Sequence, residues 1–135
     1  MDWKIEVVVV PVSDVDRAKH FYSEQVGFVV DVDRQVNADF RVVQMTPPGS
    51  ACSVSIGAGM SAMPPGSLKG LQLVVPDVTR AREELAGRGV PVSPVRHMGE
   101  DGWADGHGGP RNSFVFFDDP DGNSWAVQEK PAATG

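Results

Sequence analysis

The sequence predicts an α+β fold, a single domain over residues 1–135 made of two βαβββ modules. Three observations lead to this class. The segment VVVVPVSDVDRAKHFY, residues 7–22, aligns with GLQLVVPDVTRAREEL, residues 70–85, so one pattern occurs twice at an offset of 63. In each copy an apolar run rich in β-branched residues precedes an Asp, a residue type that caps helix N-termini. Three further strand-like runs follow each predicted helix.

The first module covers about residues 1–57. Its opening strand is the valine run, and the helix after Asp14 places Val15, Ala18 and Tyr22 on one face before Gly27 ends it. Turn residues then separate three predicted strands, FVVDVD (28–33), FRVVQMT (40–46) and ACSVSIG (51–57).

The second module covers about residues 68–130 and follows a Gly- and Pro-rich linker, residues 58–67. Its helix after Asp77 places Val78, Ala81 and Leu85 on one face. We predict strands at VPVSPV (90–95), SFVFF (113–117) and SWAVQE (124–129), the last two joined by the turn DDPDGN. Residues 96–112 are predicted to form a long irregular loop, and loops of this length are often functional.

Net charge, N-terminal sequence and cysteine content limit the cellular compartment and the partner classes that we expect. The net charge is −6 and the chain has no basic cluster, so we expect no nucleic-acid partner. The N-terminal apolar run lacks the features of a signal peptide and is too short to span a bilayer, so we expect a cytoplasmic protein without a membrane partner. Cys52 is the single cysteine, which excludes an intrachain disulfide.

Two local motifs inside the duplication resemble a known family. They are SDVDRAKHFYSEQVGF after the first strand and DPDGNSWAVQE at the last turn. Together they are similar to the vicinal oxygen chelate superfamily, the glyoxalase, bleomycin-resistance and extradiol-dioxygenase group. The resemblance implies modules related by a pseudo-twofold, a curved mixed sheet around a cavity, and a homodimer. It leaves function open, because this fold hosts isomerases, dioxygenases, epimerases, thiol transferases and non-catalytic antibiotic binders.

The resemblance also implies where a metal would bind. Metal enzymes of that family take ligands from the first strand of each module, seven residues before the capping Asp, and from the last strand, four residues after the Gly of DPDG. These positions are Val7, Gly70 and Ala126 here, and the remaining one falls near Ser53 or Ser55. None supplies an imidazole or a carboxylate, so we predict no metal centre and no other cofactor.

Strand alternation predicts the lining of a ligand cavity. The pocket is apolar with a few amides and hydroxyls, a composition that suits a small organic ligand. We expect Trp3, Trp125 and Phe114 to lie in the core or at an interface rather than to stack on a ligand. The predicted ligand-binding residues are Val7, Val9, Ser53, Ser55, Gln72, Trp103, Ala126 and Gln128.

An enzymatic alternative remains open from sequence. The loop 96–112 carries His97, Trp103 and His107, and it could close over a bound molecule with a histidine as general acid or base. On this alternative the protein is a lyase, isomerase or dioxygenase of the same superfamily. It would use His97 or His107 without metal, or a relocated divalent ion such as Zn²⁺, Ni²⁺, Mn²⁺ or Fe²⁺.

Overall fold

The computed structural model describes residues 1–131, which form two compact units. The first unit comprises Met1–Leu68 together with the turn Asp119–Asn123. The second comprises Lys69–Asp118 and residues 124–131. Each unit combines its own mixed sheet with a helical segment, so the predicted α+β class is confirmed.

The first unit is a βαβββ module, as predicted. Its elements are β1 (Val7–Val9), α1 (Val15–His20), β2 (Val29–Asn37), β3 (Phe40–Thr46) and β4 (Ser53–Ala58). A π-helical segment, Phe21–Val26, follows α1 directly. The sheet has the order β1-β4-β3-β2, in which β1 runs parallel to β4 and the other pairs are antiparallel.

The second unit has one strand more than predicted. Its elements are β5 (Leu71–Val75), α2 (Val78–Gly87), β6 (Arg96–Gly99), β7 (Gly102–Asp105), β8 (Phe114–Asp118) and β9 (Ser124–Glu129). The sheet has the order β5-β9-β8-β6-β7, with β5 parallel to β9. At ten residues α2 is too short to cross a bilayer, and no helix within residues 1–131 could do so.

Two predictions for the second unit were wrong. The segment 90–95 is not a strand and makes only an isolated bridge from Val92 to Phe117, because Pro91 and Pro94 cannot donate to a β-ladder. Residues 96–105 are not loop but the hairpin β6–β7, in which Gly99 pairs with Gly102. Gly102 adopts a φ of 107°, which a glycine tolerates without steric cost, so the tight turn can form.

Both predicted helix caps are present. The side chain of Asp14 accepts a hydrogen bond from the Arg17 N–H at 3.0 Å, and that of Asp77 accepts one from the Arg80 N–H at 3.1 Å. The first helix then widens into the π-helical segment, which shifts the helical register so that the adjacent Phe21 and Tyr22 are both buried.

One face of each sheet is covered by core side chains. In the first unit Val43, Met45, Val54 and Ile56 are buried, as are the helical residues Ala18, Phe21 and Tyr22. In the second unit Val115, Phe117, Trp125 and Val127 are buried, as are Val78 and Leu85 of α2. Because successive side chains alternate faces, the intervening residues of these strands belong to the opposite face of each sheet.

An ion cluster identifies the helix side of the first sheet. Arg41 of β3 pairs with Asp16 of α1 at 2.8 Å and with Asp33 of β2 at 3.0 Å. Hydrogen bonds from Arg41 and Lys19 lower the pKa of Asp33 to about 2. Since Arg41 lies on the helix side, Gln44 lies on the other face, beside Ser55 of β4.

Candidate functional site

An aromatic cluster lies on the face of the second sheet opposite the core. The Trp103 ring meets the Phe114 and Phe116 rings edge to face, each at a centroid distance of 5.1 Å. Phe114 and Phe116 stack nearly parallel at 6.2 Å. Trp103 is 48% exposed, so the cluster offers aromatic surface to solvent. We call these three residues the aromatic platform.

Two glutamine amides lie beside the platform. Gln128 is the cross-strand partner of Phe114, and its Nε2 donates to the Arg111 carbonyl at 2.7 Å. A backbone carbonyl can only accept, so this bond turns Oε1 of Gln128 towards Gln72, whose Nε2 donates to it at 2.9 Å. Arg111 has a φ of 60°, a left-handed conformation that is uncommon for a non-glycine residue.

Asn112 holds the hairpin that carries Trp103. Its Oδ1 accepts from the Met98 N–H at 2.8 Å, and its Nδ2 donates to the Met98 carbonyl at 2.9 Å. Met98 is in turn the cross-strand partner of Trp103. The side chain of Asn112 therefore bonds the backbone of β6 as a neighbouring strand would. These bonds hold β6 in place, and with it the paired strand β7 that carries Trp103.

The two predicted catalytic histidines do not lie on the platform face. His97 pairs across the hairpin with Ala104, one position from Trp103, so its side chain is on the opposite face. Its Nδ1 is 2.9 Å from the Gly106 carbonyl. His107 Nε2 is 3.1 Å from Oγ1 of Thr79 on α2. A catalytic role for either histidine stays a prediction.

The first sheet carries a second group of predicted residues. Val7 pairs with Ser53, and Val9 pairs with Ser55, along the parallel strands β1 and β4. Both serines are buried, with exposures of 7% and 3%. Their side chains make bonds inside the first unit, since Ser55 Oγ donates to Met60 Sδ at 3.8 Å and Ser53 Oγ is 2.7 Å from Thr46 Oγ1.

A cleft of about 170 Å³ opens at the end of β1 and β4 in the first unit. Of the predicted ligand-binding residues it includes Val9. Two methionines from the segment between the modules, Met60 and Met63, form part of its wall. The structure thus groups the predicted residues by unit, with Gln72, Trp103, Ala126 and Gln128 in the second and Val7, Val9, Ser53 and Ser55 in the first.

The side chains at the family's metal positions do not suit a metal ion. Val7, Ser53, Gly70 and Ala126 offer one neutral hydroxyl among them. Throughout residues 1–131 no three His, Cys, Asp or Glu side chains are grouped so that they could hold a metal. The nearby carboxylate of Glu129 accepts the Val78 N–H at 3.1 Å at the start of α2, which gives it a structural role.

A known protein family matches the sequence of this chain over nearly its whole length. The model of the Glyoxalase/Bleomycin resistance protein/Dioxygenase superfamily matches residues 4–127. The chain belongs to this superfamily. The predicted resemblance is therefore confirmed, and the mixed sheets with their helices are the superfamily's architecture.

Several known proteins are similar to this chain over nearly their whole length. TnmS3, an antibiotic binding protein from Streptomyces sp. CB03234, is 32% identical with a TM-score of 0.77, covering 97% of this chain and 98% of that one. A glyoxalase/bleomycin resistance protein from the same organism is 33% identical with a TM-score of 0.74, covering 93% and 100%. The uncharacterized protein YetH of Bacillus subtilis is 25% identical, covering 93% and 98%.

Three residues of the candidate site are absent from the set predicted from sequence. Phe114 is predicted to lie in the core or at an interface, and no role is predicted for Phe116 or Asn112. Trp125 lies in the core, at 3% exposure, whereas Trp3 is 86% exposed, so the interface alternative stays a prediction for Trp3. The alternation in SFVFF indicates that Phe114 and Phe116 lie on one face of the strand. Val115 and Phe117, which are buried, lie on the other face.

Proposed function

We propose that this protein binds a small organic molecule with a flat aromatic part on the aromatic platform, and that it does so without a resident metal ion. The single observation that carries the proposal is the half-exposed Trp103, held edge to face against Phe114 and Phe116. The relative TnmS3, named as an antibiotic binding protein, supports the same class of function.

The platform has the physical properties of a binding surface. Its three rings lie on β7 and β8, which both pair with β6, and are held by contacts with one another, so little conformational entropy is lost when a ligand stacks on them. Aromatic pairs contribute about 0.5–1.5 kcal/mol beyond the area they bury. The adjacent amides of Gln72 and Gln128 supply hydrogen bonds that orient a ligand.

Truncating Trp103 should therefore weaken ligand binding on the platform. We expect Trp103→Ala to weaken binding of bicyclic and tricyclic aromatic probes about tenfold or more, as for an aromatic residue that a ligand stacks on. Isothermal titration calorimetry on a probe panel that includes 1-naphthol would measure this. Val36→Ala is the control, because it removes an apolar side chain that is 52% exposed on β2 of the first unit. Equal affinities for both variants would rule out the platform as the site.

The metal-free part of the proposal has its own measurement. Protein purified without chelator should contain far less than one equivalent of Zn²⁺, Ni²⁺, Mn²⁺ or Fe²⁺ per chain by elemental analysis. The physical reason is that Val7, Gly70 and Ala126 supply no ligand atoms from their side chains. About one tightly held ion per chain, lost when Glu6, His97 or Glu129 is replaced, would instead favour the relocated-metal enzyme.

We further propose that the protein is a homodimer. The N-terminal segment presents two large exposed apolar residues, Trp3 at 86% and Ile5 at 71% exposure, directly before β1, the edge strand of its sheet. Light scattering should give twice the chain mass of 14.4 kDa at micromolar concentration. Trp3→Asp combined with Ile5→Asp should shift the mass towards the monomer, whereas a monomeric parent protein would contradict the proposal.

A further inference from the structure

Three polar side chains form a directed hydrogen-bond chain in the first sheet. Oγ1 of Thr46 donates to Oδ2 of Asp31, and the same Oγ1 lies 2.7 Å from Oγ of Ser53. Asp31 can reach Thr46 because β2 has a bulge between Val30 and Val32, which leaves Asp31 as the extra residue. The chain runs from a buried serine on β4 to an exposed carboxylate on β2.

The direction of this chain follows from counting hydrogens. A threonine hydroxyl has one hydrogen, and Thr46 donates it to Asp31. The contact between Thr46 and Ser53 must then use the hydrogen of Ser53. Ser53 consequently keeps only lone pairs, and it can accept a hydrogen bond from a ligand but cannot donate one. The carboxylate at the far end polarises the chain and strengthens the serine oxygen as an acceptor.

Apolar side chains flank this acceptor along one row of the sheet. Val7 of β1 pairs with Ser53, and Val29 of β2 pairs with Thr46. The row therefore reads Val7, Ser53, Thr46, Val29 across all four strands. Its ends are open, with Val7 at 38% and Val29 at 55% exposure, while Ser53 is recessed at 7%. Such a row places the acceptor oxygen of Ser53 between apolar contacts at its two ends.

We propose that Ser53 is an acceptor subsite that binds the hydroxyl or N–H group of an uncharged or cationic, otherwise apolar ligand. The inference rests on the proposed small-molecule binding and names the polar group that the first unit, by itself, recognises. A ligand that offers only carbonyl or ether oxygens finds no hydrogen at Ser53, so it loses this bond.

The test compares probes that differ in one hydrogen. The probes are 1-naphthol, which donates, and 1-methoxynaphthalene and 1-acetylnaphthalene, which only accept. NMR titration of the Val7, Val29 and Thr46 methyl groups reports the site directly. We expect 1-naphthol to bind at this row about fivefold more tightly than either acceptor probe, as one net hydrogen bond would give.

Asp31→Lys is the decisive variant, because an ammonium group can only donate and so reverses the chain at Thr46. Thr46 then gives its hydrogen to Ser53, and the hydrogen of Ser53 becomes free for a ligand. We expect the fivefold preference for 1-naphthol to disappear in Asp31→Lys and in Ser53→Ala. Asp39→Lys, which makes the same charge change at an exposed position, should leave the preference unchanged.

The outcomes separate this inference from the proposed function. If 1-naphthol shifts signals of Trp103 but not of Val7 or Thr46, the platform function stands and the acceptor subsite is wrong. Equal affinities of the three probes at the row, or a preference that survives Asp31→Lys, would also overturn the subsite. If no probe shifts either region at millimolar concentration, the proposed function itself fails.

Discussion

Replacing Asp119 by alanine is expected to lower the free energy of unfolding by about 3–5 kcal/mol, because several buried donors lose their acceptor together. Oδ2 of Asp119 accepts from the Tyr22 hydroxyl and from Nδ2 of Asn123, both at 2.7 Å. Oδ1 accepts the backbone N–H groups of Asp121 and Asn123 at 2.9 Å. Asp119, Tyr22 and Asn123 are at most 4% exposed, so water cannot replace the lost bonds.

Urea unfolding followed by circular dichroism would measure this loss. Asp118→Ala is the matched control, since Asp118 is the exposed neighbour and its removal should change stability by no more than about 0.5 kcal/mol. Tyr22→Phe should show an intermediate loss of about 1–2 kcal/mol, because it removes one bond of the network. Similar stabilities for Asp119→Ala and Asp118→Ala would show that the network does not hold the turn.

Gly57→Ala should be comparably destabilising, by about 3 kcal/mol, for a steric reason. A Cβ at this position would lie 1.9 Å from the Arg41 carbonyl oxygen and 2.6 Å from Met60 Sδ. The methionine can move, but the carbonyl belongs to the paired strand β3, so the sheet itself would have to shift. Glycine is required here for the close approach of the backbone.

The control for Gly57 is Gly87→Ala, at the end of α2. A Cβ there meets nothing within 4 Å, and alanine is favoured over glycine in a helix by about 1 kcal/mol, so this variant should be neutral or slightly stabilised. Thermal unfolding of the two variants beside the parent protein would separate the effects. A melting temperature for Gly57→Ala within one degree or so of the parent value would contradict the steric argument.

Much of the fold was predictable because its signals are local. The capping residues Asp14 and Asp77, the alternation of β3 and β9, and the turn before Ser124 all depend on residues close in sequence. The hairpin β6–β7 was missed because glycines lower strand propensity, although Asp101 and Gly102 form a recognised hairpin-turn dipeptide. The prolines at 91 and 94 should also have counted against the predicted strand there.

The site was less predictable because its geometry depends on distant pairings. Strand parity placed Gln72 and Gln128 on one face, but their amide contact needs β5 and β9 to be neighbours in a given register. The role of Asn112 depends on its reaching Met98, which no local pattern indicates. The direction of the Ser53 chain depends on a bulge at Asp31, and a bulge of this kind leaves no clear sequence signal.

The turn Asp119–Asn123 has a consequence for how this protein could have arisen and how it can be divided. The first unit is discontinuous, because it includes these five residues from the far side of the second unit's sequence. A fragment that ends at Leu68 would therefore leave the Tyr22 hydroxyl and the Pro11 carbonyl without the Asp119 and Asn123 side chains that they bond. The two halves of the sequence therefore cannot be exchanged as independent folding units. A half-length ancestor would have needed either this turn from a second molecule or other partners for the Tyr22 hydroxyl and the Pro11 carbonyl.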